Sequence, residues 1–200
     1  RPYEIVRGYT TLATVLQAQD DADGMRQALE HAEAIRFQHP NYPKMSSLVR
    51  SCQVKLCLAE EGPDEAARLA TRLQLGQTGA LIFREQEQII LARVLVAGQR
   101  WNKALPLLVR LADATEAGSR FGRLIEILVL QAIVRQAQGD TAGAWTALEK
   151  ALARGEPEGH VRVFVEQGAP MAALLQQAGA RGIAPQYVSR LLAVFGLAEK

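Results

Sequence analysis

The 200-residue sequence is poor in the side chains from which metal and nucleophile sites are built, with two cysteines and three histidines. Cys52 and Cys57 stand five residues apart, which on a helix sets them about 140° apart around the axis, the wrong geometry for a shared metal. They read as reduced thiols of a reducing cytoplasm. His31, His39 and His160 have no partner at metal-ligand spacing and read as surface histidines. There is no Gly-x-Ser-x-Gly elbow and no Cys/His constellation, so no motif marks an enzyme.

Charge of one sign is missing as well. The 23 basic and 21 acidic residues leave a net charge of +2 and are scattered along the chain, whereas nucleic-acid binders concentrate basic residues on one face. The longest apolar stretch, Leu124 to Val134, is interrupted by Glu126 and Gln131 and falls short of the ~20 residues a membrane span needs. No four-to-eight-residue run alternates apolar and polar, so no sheet is expected. Arg1 is followed by no charged leader or apolar signal core, and the chain is expected to be a piece of a longer protein.

What is present is an apolar content of 48%, enough for a core, laid out as a repeat. Breaker clusters recur at His39-Pro40-Asn41-Tyr42-Pro43, Gly76-Gln77-Thr78-Gly79, Ala117-Gly118-Ser119 and Gly155-Glu156-Pro157-Glu158-Gly159. Each intervening segment has room for two helices and a tight turn. Aligned on Met25, Ala66, Ala104 and Ala144, the segments repeat every 38 to 41 residues. Seven residues before each anchor stands alanine (Ala18, Ala59, Ala97, Ala137), and twelve before stand Ala13, Val54, Ala92 and Ala132, small enough for close helix approach. Four after the anchor come Leu29, Ala70, Leu108 and Leu148, and seven after it Ala32, Leu73, Leu111 and Ala151, one helical stripe. The turns within the pairs, at Gln19-Asp20-Asp21, Glu60-Glu61-Gly62, Gly98-Gln99-Arg100 and Gln138-Gly139-Asp140, are short and polar, which forces antiparallel pairing. Asp21 and Asp140 are placed to cap the second helices.

The pattern resembles a long-period tetratricopeptide repeat (TPR); the usual period is ~34 residues. The fold class is therefore expected to be all-α: a right-handed α-solenoid of about four TPR-like antiparallel helix pairs, at residues 1–40, 41–78, 79–118 and 119–158, with C-terminal capping helices in 159–200. Within that cap, short helices are expected at Arg162–Gln167, ended by Gly168, then Met171–Ala178 and Gln186–Phe195, the last two started by Pro170 and Pro185. Gly118-Ser119-Arg120-Phe121-Gly122 reads as a boundary loop, and Trp101 and Trp145 as packing residues of second helices.

The run Glu156-Pro157-Glu158-Gly159-His160-Val161-Arg162-Val163-Phe164-Val165, with Gly168, Pro170-Met171, Leu174-Leu175, Tyr187-Val188 and Leu191-Leu192, is similar to the end of the sensor region in large ATP-dependent LuxR-type (MalT-like) transcription activators. The resemblance implies a helical-repeat domain that receives an effector or a regulatory protein, in the cytoplasm, between a nucleotide-binding switch domain and a downstream helix-turn-helix. The chain itself has no Gly-x-x-x-x-Gly-Lys-Ser/Thr loop. No cofactor is therefore expected here; ATP would belong to the separate switch domain, and DNA would be met only through the separate C-terminal domain. Self-association, or docking of a protein partner with no small-molecule ligand, is the alternative.

In superhelices of this kind the concave face is lined by first-helix residues turned away from the second helix. Carried over residue by residue, the positions eighteen, fifteen, eleven and eight before each anchor are Arg7, Thr10, Thr14 and Gln17; Leu48, Ser51, Lys55 and Leu58; Gln86, Ile89, Arg93 and Val96; and Glu126, Val129, Ile133 and Gln136. The candidate ligand-binding residues are Arg7, Thr14, Gln17, Ser51, Lys55, Gln86, Arg93 and Gln136. Lys55 and Arg93, in neighbouring repeats, suit a carboxylate or phosphate, with water or pairing to Glu126 or Glu87 as the plainer alternative.

Overall fold

Pro2, Pro43, Pro63, Pro170 and Pro185 each stand in the first turn of a helix, where the missing N–H has no intrahelical partner to lose. The computed structural model describes residues 1–77, 81–118 and 121–196, side chains 81–83 and 121 excepted. These residues form eleven helices: α1 Pro2–Ala18, α2 Ala22–Gln38, α3 Pro43–Glu60, α4 Pro63–Arg72, α5 Leu81–Ala97, α6 Trp101–Ala117, α7 Phe121–Ala137, α8 Thr141–Gly155, α9 Arg162–Val165, α10 Ala169–Ala180 and α11 Pro185–Val194. No strand occurs among the described residues, so the all-α helical-repeat fold is the one found. The chain divides into two compact units, Arg1–Gln99 and Arg100–Lys200.

In the first unit α2 folds back on α1 across a three-residue turn, and α3 then rests on both α1 and α2. In the same way α5 rests on α3 and α4. This translational stacking, in which each new first helix covers the pair before it, follows from the small residues at the seam: Ala13, Val54 and Ala92 are fully buried, as are Ala66 and Ala32 in the second helices. In the second unit α7 packs between α6 and α8, and α9 and α10 close on α7. The stripe of Ala104, Leu108 and Leu111 on α6 and that of Ala144, Leu148 and Ala151 on α8 are both buried. Each buried leucine contributes about 1.5–3 kcal/mol relative to exposure.

The turns share a backbone device. Asp20, Gln99 and Gly139, each five residues before its anchor, adopt φ of +59°, +55° and +81°, the left-handed conformation that reverses the chain in a few residues. Both expected caps are present: the Asp21 carboxylate accepts from the Gly24 N–H and that of Asp140 from the Gly143 N–H, each at 2.9 Å. A Cβ at Gly24 or Gly143 would stand 2.4 or 2.2 Å from the capping carboxylate, so glycine there lets the cap sit close.

Several details differ from expectation. The alanines seven before each anchor are exposed, because they fall in the last turn of each first helix, beyond the seam. The second helix of the second pair stops at Arg72, and Leu73 serves as its C-cap; Gln74 at φ +51° and Gly76 at φ +75° then turn the chain. Of the breaker cluster there, Thr78 and Gly79 lie outside the described residues, as do Ser119 and Arg120 of the boundary loop. That loop is shorter than expected, since Phe121 and Gly122 already belong to α7.

The cap helices are built around Phe164 and Tyr187, both buried and crossed edge to face with centroids 5.9 Å apart. The Tyr187 hydroxyl donates to the His160 carbonyl. A Cβ at Gly155, the last residue of α8, would stand 2.8 Å from that hydroxyl oxygen and 3.1 Å from Phe164, so the absence of a side chain there seats the cap. Arg181 lies 4.0 Å above the Trp145 ring, a cation–π contact that ties the end of α10 to α8.

Candidate functional site

The first helices α1, α3 and α5 form one row in the first unit, and seven of the eight candidate residues stand on it. The positions eleven before the anchor come together best. Cys52 on α3 is buried, with its Sγ 3.6 Å from the Thr10 carbonyl oxygen on α1. Burial pushes its thiol up to about 11, while the nearby Lys55 ammonium and a hydrogen bond with the Thr14 hydroxyl pull the other way. Thr14, whose hydroxyl donates to the same Thr10 carbonyl at 3.0 Å, and Lys55, 41 residues further along the sequence, stand on the two helices that meet at this thiol. Both are half-buried, and Arg93 holds the same half-buried position on α5.

The positions fifteen before the anchor do not form an open wall. Thr10, Ser51, Ile89 and Val129 are all buried: this column lies in the seams between successive helices. For Ser51 this is a correction, because its hydroxyl is enclosed and without a hydrogen-bond partner where an exposed donor was expected. Arg7 is exposed and pairs loosely with Glu4 at 3.7 Å, while Gln17 and Gln86 are half-buried. Gln136 belongs to the second unit, where its Oε1 is buried without a partner.

Glu87, one of the carboxylates considered for Lys55 or Arg93, is committed elsewhere. It is fully buried and accepts from Arg50 Nη2 at 2.6 Å, from Arg50 Nε at 3.1 Å and from the Gly76 N–H at 2.7 Å. That pair joins α3 to α5. Arg50 and Glu87 fall one helical position outside the columns chosen by offset, and their opposite charges on successive first helices were the available signal.

A second feature was not anticipated. In the second unit a groove of about 190 Å³ runs between α6, α7 and α8, with Leu124 and Leu128 on α7 among its lining. Asp113 and Glu116 line it from α6, Lys150 and Arg154 from α8. Arg154 Nη2 meets Glu116 Oε1 at 2.7 Å, and Gln131, also in the lining, donates to the Leu108 carbonyl at 3.0 Å. The opposed charges strap the two second helices together. Attention to first-helix positions alone passes over them.

The histidines have local surroundings. His31 Nδ1 lies 2.7 Å from the Gln27 carbonyl oxygen and its ring stacks on Tyr9 at 5.1 Å; His39 meets Tyr42 edge to face, and His160 lies beside Glu158. Among the described residues no group of three or more His, Cys, Asp or Glu side chains gathers as a metal site. No helix among them is long and apolar enough to cross a membrane.

No curated protein and no solved structure matches the chain. The family model described as the MalT-like TPR region, by contrast, matches residues 1–181, which takes in all four helix pairs together with α9 and most of the residues that seat the cap. With its stacked first helices, small-residue seams and that match over most of its length, the chain belongs to the MalT-like TPR region family.

Proposed function

We propose that this chain is the sensor region of a MalT-like, LuxR-type regulator, working in the cytoplasm. It receives a small anionic effector on the row of first helices and biases separate nucleotide-switch and DNA-binding domains between two arrangements. The observation that carries this reading is the family match over residues 1–181. The position of the effector is supported by the shared register of Thr14, Lys55 and Arg93 on successive first helices, all three half-buried. A lysine supplies a mobile point charge and an arginine a planar fork, a combination suited to carboxylate or phosphate. Helical repeats of this type act by binding, and the chemistry proposed here is recognition without bond making. ATP and DNA are assigned to the other domains of the full-length regulator. Coupling requires the effector to prefer one arrangement by about 1–3 kcal/mol.

Thermal melts against a panel of small carboxylates and phosphates test the reading. A ligand at ~100 times its dissociation constant stabilises the folded chain by ~2.7 kcal/mol. The Lys55→Ala/Arg93→Ala double variant is expected to lose that response, read against its own melt without ligand; an undiminished response removes the anion site from this row. A second reading, a protein-interaction module, is favoured by Phe37 and Tyr42, which are 77% and 54% exposed on either side of the α2–α3 turn. A panel without effect, with concentration-dependent mass in light scattering, supports that module instead.

A further inference from the structure

The groove between α6, α7 and α8, about 190 Å³ in volume, carries opposite charges on its two sides. Its floor includes Leu124 and Leu128 of α7, both buried. Asp113 and Glu116 line one side from α6, three residues apart and so on one helix face; Lys150 and Arg154 line the other from α8, four apart. Arg154 and Glu116 meet across it at 2.7 Å. Asp113 and Lys150 are exposed, and among the ion pairs of the described residues there is none between them. A carboxylate and an ammonium thus line one groove without neutralising each other.

The repeat register explains why space is left there. Glu33 stands eight residues after the anchor of α2, and Gln53 thirteen before the anchor of α4. The Gln53 amide donates to the Glu33 carboxylate, across the contact of α2 with α3. Between α6 and α7 the same two positions are held by Ala112 and Gln131, both in the groove lining. Alanine has no side chain long enough to cross, and Gln131 donates to the Leu108 carbonyl instead, at 3.0 Å. Where Glu33 spans, Ala112 leaves room.

We infer that this groove binds a compact zwitterion, of the class of a free α-amino acid with a short aliphatic side chain. Its ammonium donates to Asp113, its carboxylate accepts from Lys150, and its side chain rests on the methyl groups of Ala112, Leu124 and Leu128. The other charges of the lining are already matched, Arg154 by Glu116 and Arg135 by Asp140, which leaves one charge of each sign for the ligand. A simple anion or cation would satisfy one side of the groove and meet like charge on the other. Size agrees: a cavity of about 150 Å³ takes benzene, so about 190 Å³ suits a molecule little larger. The groove lies wholly in the second unit and is separate from the anion site proposed on α1, α3 and α5.

The test is a chemical-shift titration of the nitrogen-labelled 200-residue chain with L-valine at millimolar concentration, read at the amides around Asp113 and Lys150. L-valine is expected to bind about tenfold or more tightly than valinamide, which lacks the carboxylate, and than 3-methylbutanoate, which lacks the ammonium, since each loses one charge-assisted contact. Asp113→Asn is expected to weaken L-valine to the level of 3-methylbutanoate, and Lys150→Gln to that of valinamide. Both side chains are exposed, so both variants keep the fold. Lys55→Ala/Arg93→Ala is expected to leave the titration unchanged, which separates this groove from the first-helix site. The absence of any shift at those amides overturns the proposal. So does equal binding of the three compounds, or L-valine binding that neither Asp113→Asn nor Lys150→Gln weakens.

Discussion

The carboxylate of Glu87, with no exposed side-chain surface, holds the Arg50 guanidinium of the preceding first helix at 2.6 Å and also accepts the Gly76 N–H at 2.7 Å. One side chain therefore joins α3, α5 and the end of the α4 turn. A buried acceptor with three donors is well compensated, but removing it strands the donors. Glu87→Ala is expected to lower the stability of the chain by about 2–4 kcal/mol, the lower end reflecting the partial exposure of Arg50. Urea titration followed by circular dichroism measures it. A double replacement, Arg50→Met with Glu87→Leu, is expected to recover most of the loss, because an apolar pair leaves no charge unpaired. A Glu87→Ala variant as stable as the parent would show that the pair adds nothing.

The acid side is set in part by Asp140. The Gly143 N–H, and after it the Arg135 guanidinium at 2.5 Å, hold its carboxyl below the ordinary value of 3.8. A lowered folded-state value means a contribution that is present above 3.8 and is lost as acid protonates the folded carboxylate. Asp140→Ala is expected to lower the Tm at neutral pH by about 2–4 °C. The gap between variant and parent should narrow from neutral pH to acid well below 3.8. A gap of the same size at both pH values would mean that the charge is not involved.

On the alkaline side the group to watch is Tyr187, whose hydroxyl is pushed up to about 12 from 10 by burial. A raised value keeps the folded hydroxyl neutral after the unfolded one has begun to ionise. Stability is thus intact below pH 10 and falls as pH rises towards 12. Tyr187→Phe is expected to cost about 1–2 kcal/mol at neutral pH, through the donor lost to the His160 carbonyl, and to flatten the alkaline decline. Melts of both proteins from pH 8 to 11 check this; parallel alkaline slopes would count against it.

Ser51→Ala is expected to be neutral, or stabilising by up to about 1 kcal/mol, because the hydroxyl is enclosed with no partner and alanine removes the uncompensated polar atom. Effector response should be unchanged in the same variant. A loss of response would return Ser51 to the ligand-binding row.

The helix pairs were legible in the sequence because their causes are local. Proline in first turns, aspartate ahead of second helices, short polar turns and small residues at fixed offsets act within one or two turns of the chain. The short polar turns read at 19–21, 60–62, 98–100 and 138–140 fall where the first helices hand over to the second, and Ala13, Val54, Ala92 and Ala132, read as allowing close helix approach, are all fully buried. The exposed alanines at the ends of the first helices show where offset alone misleads, since a recurring small residue is not always a packed one.

The candidate site was legible only in part. Spacing put Thr14 and Lys55 at one register, and both are half-buried, on the two helices that meet at Cys52. Spacing also put Ser51 on the same wall, whereas stacking buries it. By itself, then, the sequence determined which segments become helices, where they turn and which faces are small enough to nest, because those outcomes depend on neighbours within a few residues. Only the tertiary structure decided that the column fifteen before the anchor lies buried in the seams, that Glu87 belongs to Arg50, and that α1 keeps an apolar face exposed. Each of these depends on how one helix rotates against another, and a rotation of a few tens of degrees, invisible in a sequence, exchanges a wall for a seam.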